Sequence, residues 1–282
     1  MSGREIPFSS PRGLLLAGTG DVDFIEVYPA EPRRVDDVRQ VPEPPARQAQ
    51  RKASDEQIHE IIMDRRRKAC VFSIRIATDA DPTTRGRVGG LPLLPSHVDW
   101  PRAFKKPLPF LAQLPLDPLQ ELDSNLEPFE PGSLLTIFWG QDWWSPHPGT
   151  HGAPVFIVAG DVQERVAPDP DLILPRRSLE VVVIEEVPCW SEMQEILKME
   201  LSDPDPKRLR QFHESRWKDY PAAREATKVG GWPHWVQSPD SENPLVAQLH
   251  SEDEADLMLG DAGSLYILQR DDRSLEVLMQ CY

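Results

Sequence analysis

The side chains best placed to do chemistry in this 282-residue chain lie in one short segment and at two matched positions. They are His147 and His151 in the segment SPHPGTHG, Trp143 and Trp144 just before it, and Gln113 and Gln248 within apolar runs. Pro148 and Gly149 separate the two histidines and exclude a helix that would present both to one metal ion. Asp142 is nearby, but no set of ligands has the spacing of a zinc motif. The pattern therefore predicts a structural loop and no bound metal.

Motifs for covalent catalysis and for cofactor binding are absent from the sequence. No Gly-x-Ser-x-Gly segment occurs, and Cys70, Cys189 and Cys281 are widely scattered without a nearby histidine in a catalytic setting. Gly18-Thr19-Gly20 follows an apolar run, but a third glycine and a Lys-Ser/Thr pair are missing. We predict no cofactor, and the residues favour a protein without catalytic activity.

The tryptophans give the clearest indication of a binding surface. Neighbouring side chains of a strand point to opposite faces, so Trp143 and Trp144 cannot both be directed into one core. An exposed aromatic ring on a loop is a common anchor for a protein partner or a flat ligand. Packing in the core is the alternative for each ring.

A short pattern occurs twice, near Arg87 to Phe138 and again near Lys228 to Ile267. Each occurrence has a glycine pair followed by proline, then LAQL or VAQL, then GSL. The distance from the first glycine to the glutamine is 24 residues in one and 18 in the other, a difference that a loop absorbs at little cost. The pattern predicts an internally duplicated, β-rich unit.

Gln113 and Gln248 occupy the matching place in each copy of this pattern. Because each lies in an apolar strand segment, it must either face solvent or satisfy buried backbone groups. A cleft between the two copies, lined by both glutamines, is the alternative that would bind a ligand.

The expected fold class is α+β, a mainly antiparallel β-sheet with helices before and between the copies. Residues 1–52 are predicted to be a Pro-rich, weakly structured leader, with an apolar patch at 13–28 that can supply an edge strand. Residues 53–282 form the duplicated domain, with copies at about 71–190 and 222–282 and a helical insert at about 191–221. Ser54 and Gln57 have the spacing of a capping box, and the basic run at 65–68 favours the end of that helix.

The repeated segments resemble the YwqG-like family, a bacterial domain of unknown function. The resemblance is carried by GGLPLLP with DWP, FLAQLPL, GGWPHWVQ, VAQLHSED and LGDAGSLYIL, and it extends from about Ser54 to the C-terminus. Leu259 stands where family members usually have tryptophan, and His250 where they usually have aspartate. The resemblance implies a mainly antiparallel α+β fold with internal duplication, and it implies no reaction.

Charge and hydropathy limit the partners. The net charge of −15 repels phosphate backbones, so nucleic acid is not an expected partner and a basic protein is. No apolar run is long enough for a membrane span, and the first residues lack the order of a secretory signal, so we expect a cytoplasmic protein. The sequence leaves the oligomeric state open.

Two functional hypotheses follow. The first is a cytoplasmic protein-interaction module without catalysis, which could act by neutralising a basic protein. The alternative is a protein that binds a small molecule or carbohydrate, or a hydrolase, with Gln113, Gln248, His147 and His151 lining a cleft between the two copies.

Overall fold

A computed structural model of the chain describes most residues from 53 onward and two short strands before them. The described residues are 14–17, 22–25, 53–78, 86–103, 105–122, 126, 128–139, 155–201, 205–216, 225–253 and 256–282. The four residues Trp143, Trp144, His147 and His151 lie outside this set.

Sixteen strands are present in the described part of the chain. They are β1 Leu14–Ala17, β2 Val22–Ile25, β3 Arg67–Ile76, β4 Arg87–Val88, β5 Leu93–Leu94, β6 Arg102–Ala103, β7 Lys106–Pro107, β8 Phe110–Pro115, β9 Leu134–Phe138, β10 Val155–Val158, β11 Gln163–Glu164, β12 Arg177–Glu186, β13 Thr227–Gly230, β14 Leu245–His250, β15 Ser264–Gln269 and β16 Leu275–Gln280. The helices are α1 Asp55–Asp64, α2 Leu119–Leu122, α3 Trp190–Glu200 and α4 Pro206–Arg216, with a 3₁₀ turn at Pro170–Leu172.

Twelve of these strands form one sheet in the order β16-β15-β14-β13-β3-β12-β4-β8-β9-β10-β1-β2. Neighbours are antiparallel except for β1 and β10, which run parallel. The predicted α+β class with a mainly antiparallel sheet is confirmed. Strands β1 and β2 lie within the segment expected to be a leader.

The longest pairing in the sheet joins β3 to β12 along all ten residues of each strand. On the outer side of β3 lie β13, β14, β15 and β16, and on the outer side of β12 lie β4, β8, β9 and β10. The central pair is therefore flanked by two groups of four antiparallel strands, and β1 and β2 continue the sheet beyond β10. A bulge interrupts the β8/β9 ladder between Phe110 and Ala112, and another interrupts the β14/β15 ladder between Leu245 and Ala247.

Helix α1 begins as the sequence predicts. The Ser54 hydroxyl accepts from the backbone N–H of Gln57, and the Gln57 side chain accepts from the backbone N–H of Ser54, which completes the capping box. The helix ends where the basic run begins, at Asp64 with Arg65 as its C-cap, as expected, but the last two residues of the run already belong to β3. There Arg67 and Lys68 lie opposite Glu186 and Glu185 of β12, and cross-strand pairs of opposite charge stabilise a sheet.

Apolar packing is divided between the sheet and the helices. The largest apolar cluster includes residues of β8 and β9 and residues of β13 and β15. Among them are Leu114, Ile137, Val229 and Ile267. A second cluster joins α1, α3 and α4 through residues including Ile58, Met193 and Phe212. None of the helices in the described part of the chain has the length and apolar character needed to cross a bilayer.

Candidate functional site

Glycine pairs stand at the ends of the two short strands that flank the central pair. Gly89 and Gly90 follow β4 with φ of 64° and 71°, and Gly230 and Gly231 at the end of β13 have φ of 70° and 74°. This left-handed backbone is readily adopted only by glycine. The chain therefore leaves the sheet in a sharp turn at each place and enters what we call the first loop, 91–98, and the second loop, 232–244.

Each predicted glutamine holds one of these loops to a strand. The Gln113 amide oxygen accepts from the N–H of Leu93 at 2.8 Å, and its amide nitrogen donates to the Leu93 carbonyl at 2.7 Å. The Gln248 amide oxygen accepts from the N–H of His234 at 2.9 Å, and its nitrogen donates to the Ala226 carbonyl at 3.1 Å. Both glutamines are completely buried. Leu93 and His234 each lie four residues beyond the first glycine of their pair.

A buried cation precedes each glycine pair. Arg87 is 1 % exposed, and its Nη1 donates to the Leu91 carbonyl at 2.8 Å and to the Glu164 carboxylate at 3.2 Å. Burial lowers the pKa of Arg87, the neighbouring charge of Arg176 lowers it further, and Glu164 opposes the shift. The Glu164 side chain remains 52 % exposed, so water reaches this ion pair.

The corresponding cation before the second glycine pair is Lys228, and its ion pair is less exposed to solvent than that of Arg87. Its Nζ donates to the Trp232 carbonyl at 2.5 Å and to the Glu186 carboxylate at 2.6 Å, and both charged side chains are at most 2 % exposed. The N–H of Trp232 also donates to Glu186, at 2.6 Å. Burial lowers the pKa of Lys228, and the attraction of Glu186 offsets part of that effect.

Helix α3 adds a second polar contact to the second loop. The indole Nε1 of Trp235 donates to the Glu192 carboxylate at 2.7 Å. Burial raises the pKa of Glu192, while the Trp235 bond and the charge of Arg67 oppose the rise. These contacts are structural, because each polar group is occupied by another group of the protein.

The remaining predicted site residues cannot be placed. Trp143, Trp144, His147 and His151 lie outside the described residues, whereas the neighbouring Trp139 is buried in the main core. Within the described ranges no three His, Cys, Asp or Glu side chains are grouped so that they could hold a metal ion. The structure thus brings Gln113 and Gln248 to matching positions in the two groups of strands, and each is engaged by its own loop.

One long strand edge has no partner strand. Strand β12 pairs with β3 along its full length, but β4 pairs with it only at Arg177 and Ser178. From Glu180 to Glu185 no other described strand pairs with the outer edge, so backbone N–H and C=O groups there can accept a further strand.

The side chains on this outer edge are exposed and apolar. Val181, Val182 and Val183 are 50 %, 53 % and 56 % exposed, on both faces of the strand. Glutamates flank them: Glu180 accepts from Arg75 at 2.7 Å, and Glu185 accepts from Arg66 at 3.1 Å. Three consecutive half-exposed β-branched residues on an unpaired edge have the composition of a strand that pairs with another strand.

The outer edge of β16, at the end of the sheet, differs from that of β12 because its side chains bind a loop. Among the described strands β16 pairs with β15 alone. Its Glu276 accepts from Ser241 at 2.6 Å and from Asn243 at 2.8 Å, and its Gln280 donates to the Ser238 carbonyl at 2.7 Å, all in the second loop. Among the described residues, no comparable loop binds β12 between Glu180 and Glu185.

Sequence reasoning missed both the buried cations and the open edge. The cations carry a visible signal, because RVGG and KVGG place a basic residue at the same position before each glycine pair. The segment LEVVVIEEV was correctly predicted to be a strand. Its lack of polar and apolar alternation suggests burial on both faces, and nothing local indicates that β4 covers only its first two residues.

Comparison with known proteins gives one result. A family model described as a domain of unknown function, DUF1963, matches residues 86–273, which include both glycine pairs, both glutamines and the whole of β12. No curated protein matches the chain significantly.

Proposed function

Because the chain belongs to the DUF1963 family of domains of unknown function, whose description names no activity, we propose from the geometry that it is a non-catalytic protein-interaction module. Its docking element is the outer edge of β12 from Glu180 to Glu185. The observation that carries this proposal is the unpaired edge with three half-exposed valines.

The physical reason is that an extended segment can add to an open sheet edge. Its backbone completes the hydrogen bonds of the edge, and its alternate side chains contact those of the host strand. Exposed strand edges also promote aggregation, so proteins usually cover them or place charges on them.

A peptide selection on the full chain tests this proposal. We expect a displayed library of eight-residue peptides to yield binders whose binding is lost in Val182→Asp, because a carboxylate placed in a strand pair must be desolvated. Val166→Asp is the matched control, since Val166 is 84 % exposed and follows β11, which belongs to a separate two-stranded sheet with β5. Binders that tolerate Val182→Asp, or a selection without enrichment, would contradict the proposal.

The proposal extends to the partner, the cellular location and two further anchor residues. The partner is a basic protein, as the net charge of −15 favours, and neutralisation of that protein is one form of the activity. The three free cysteines Cys70, Cys189 and Cys281 suit a reducing compartment, which supports a cytoplasmic location. Trp143 and Trp144 are proposed as additional anchors, so Trp143→Ala or Trp144→Ala is expected to weaken partner capture with little change in thermal stability.

We further propose that the two groups of strands arose by internal duplication and that the chain is a YwqG-like member of its family. The matched bonds of Arg87 and Lys228 to the carbonyl four residues ahead support the duplication, as do the matched bonds of Gln113 and Gln248 to the fourth residue after the first glycine.

The alternative function is binding of a small molecule or carbohydrate, or hydrolysis, in a cleft between the copies. It needs the glutamines to contact a ligand, but the Gln113 amide already bonds the backbone of Leu93 in the first loop, and the Gln248 amide bonds that of His234 in the second loop and of Ala226 before β13. We therefore favour the interaction module. Retention of a ligand by the wild-type chain and its loss in Gln113→Leu would favour the alternative.

A further inference from the structure

The charges beside the open edge specify the chemistry of the segment that it accepts. Resting on the proposed function, we infer that the partner segment carries two basic residues five positions apart, with β-branched residues between them. One basic residue lies opposite Glu180 and the other opposite Glu185.

The positions of the edge side chains follow from the alternation of a strand. Val181, Val183 and Glu185 share one face of β12, and Glu180 and Val182 share the other. Each face therefore offers an apolar centre and one carboxylate, and the two carboxylates stand toward opposite ends of the edge. A partner strand that places apolar residues against the valines has one position on each face where a positive charge is favoured.

Both carboxylates retain the capacity to bind a further cation. Glu180 is 63 % exposed and Glu185 is 52 % exposed, and the arginine that each binds comes from the opposite side, from β3 or from the residue just before it. An ionised carboxylate has about four acceptor sites, so one arginine does not saturate it. Residues directly opposite on paired strands are about 5 Å apart at Cβ, which is within reach of lysine or arginine.

The spacing does not depend on strand direction. In an antiparallel pair the residue opposite Glu185 precedes the residue opposite Glu180, and in a parallel pair the order is reversed. Either way the two basic residues are five positions apart, because Glu180 and Glu185 are. Antiparallel addition is the more stable arrangement per residue.

The same glutamates have a second physical interpretation. Charged residues that flank an apolar edge also protect it from pairing with other strands. That interpretation predicts that no extended peptide binds, whatever its charge.

Three synthetic peptides separate these cases. The probe is the acetylated, amidated peptide Lys-Thr-Val-Val-Thr-Lys with a fluorophore, the charge control is Glu-Thr-Val-Val-Thr-Glu, and the backbone control is Lys-Thr-Val-Pro-Thr-Lys. Binding to the full chain is followed by fluorescence anisotropy at low salt. We expect the lysine peptide to bind at least tenfold more tightly than either control and to weaken as salt is added.

Variants of the chain locate the effect. The double variant Glu180→Gln/Glu185→Gln is expected to weaken the lysine peptide about tenfold, while Glu214→Gln, on an exposed carboxylate of α4 that bonds Arg210 of the same helix, leaves it unchanged. Circular dichroism confirms that each variant is folded. If all peptides without proline bind equally and Val182→Asp abolishes binding, the edge is a docking site but the inferred charge pattern is wrong. If no peptide binds, the edge is protected, and both the inference and the proposed function fail.

Discussion

In the first loop, Arg87 bonds to the Leu91 carbonyl and to Glu164, whose side chain is half-exposed; in the second, Lys228 bonds to the Trp232 carbonyl and to the buried Glu186. Both cations reach the carbonyl four residues ahead, and both loops are held by a buried glutamine. The difference lies in the carboxylate. In the second half it comes from the end of β12 and also binds a loop N–H, so the central strand pair and the second loop depend on one buried charge.

The same contrast separates the end of β12, which is fixed by bonds within the protein, from the middle of that strand. The end of β12 at Glu186 is fixed by three bonds within the protein: Lys228, the Trp232 N–H and the ladder to β3. Between Glu180 and Glu185, β3 is the one described strand that pairs with β12. The strand is thus anchored at both ends and open along its middle, as a docking edge must be.

The largest difference in unfolding free energy is expected between the variants that remove Glu186 and Glu164. Glu186→Ala leaves a buried lysine without its counter-ion, which typically costs about 3–5 kcal/mol of unfolding free energy. Glu164→Ala also removes the counter-ion of a buried cation, but this carboxylate is half-exposed and screened by water, so the loss is expected to be smaller than for Glu186→Ala. Urea unfolding followed by circular dichroism measures both. Equal losses would contradict the assignment of different environments.

Alanine at the second glycine of each pair gives the next contrast. Both positions have positive φ, which costs an alanine about 1–2 kcal/mol. A Cβ on Gly231 would also collide with the Glu186 carboxylate and lie 2.8 Å from Ala69 Cβ, whereas a Cβ on Gly90 meets the Arg176 side chain at 3.1 Å. Gly231→Ala is therefore expected to lower the thermal midpoint more than Gly90→Ala. The reverse order would show that the second loop can rearrange around the ion pair.

The glutamines test how alike the halves are. Gln113→Leu and Gln248→Leu each leave a part-buried loop N–H without its acceptor, at a cost of about 1–3 kcal/mol. Because each glutamine oxygen accepts from the N–H four residues after the first glycine of its pair, we expect the two losses to agree within about 1 kcal/mol. Chemical denaturation of both variants provides the comparison. A loss in only one of them would argue against the proposed duplication of the clamp.

The smallest effect is expected at Glu192, which bonds the second loop through Trp235. Burial raises its pKa in the folded state above the ordinary value of 4.5, so the folded protein binds this proton more tightly than the unfolded chain. Stability contributed by the protonated form is therefore lost as the pH rises from about the ordinary value through the raised one. Glu192→Gln keeps an acceptor for Trp235 and removes the charge, and it is expected to be the more stable protein near pH 7.

Unfolding of Glu192→Gln and the wild type between pH 4 and pH 8 measures this difference. The charges of Arg67, Glu195 and Glu242 also act on this carboxylate and are present in both proteins. Curves that stay parallel across the range would mean that Glu192 has the same pKa in the folded and unfolded states.

Local signals in the sequence predicted the parts of the fold that depend on neighbouring residues. The capping box at Ser54 and Gln57, the strands containing the repeated apolar segments and the α+β class were all visible in residue types and spacing. The end of α1 at the basic run was visible too, but the start of β3 within that run was not, because Arg67 and Lys68 are favourable opposite Glu186 and Glu185, which lie more than a hundred residues away.

The site depends on contacts that no local pattern specifies. RVGG and KVGG look alike in the sequence, and only the fold brings Glu186 to one and Glu164 to the other. The open edge of β12 lies beyond Arg177 and Ser178, the two residues at which β4 pairs with it. A consecutive Val181-Val182-Val183 is equally suited to a buried central strand, so its exposure could not be predicted.

The central claim is that β12 accepts another strand between Glu180 and Glu185, and hydrogen exchange with and without the lysine peptide tests it most directly. We predict that amide exchange slows in the segment 180–185 when the peptide is bound and is unchanged in β16, whose residues already bind the second loop. Unchanged exchange in β12 under saturating peptide, or protection that appears in β16 instead, would contradict the claim.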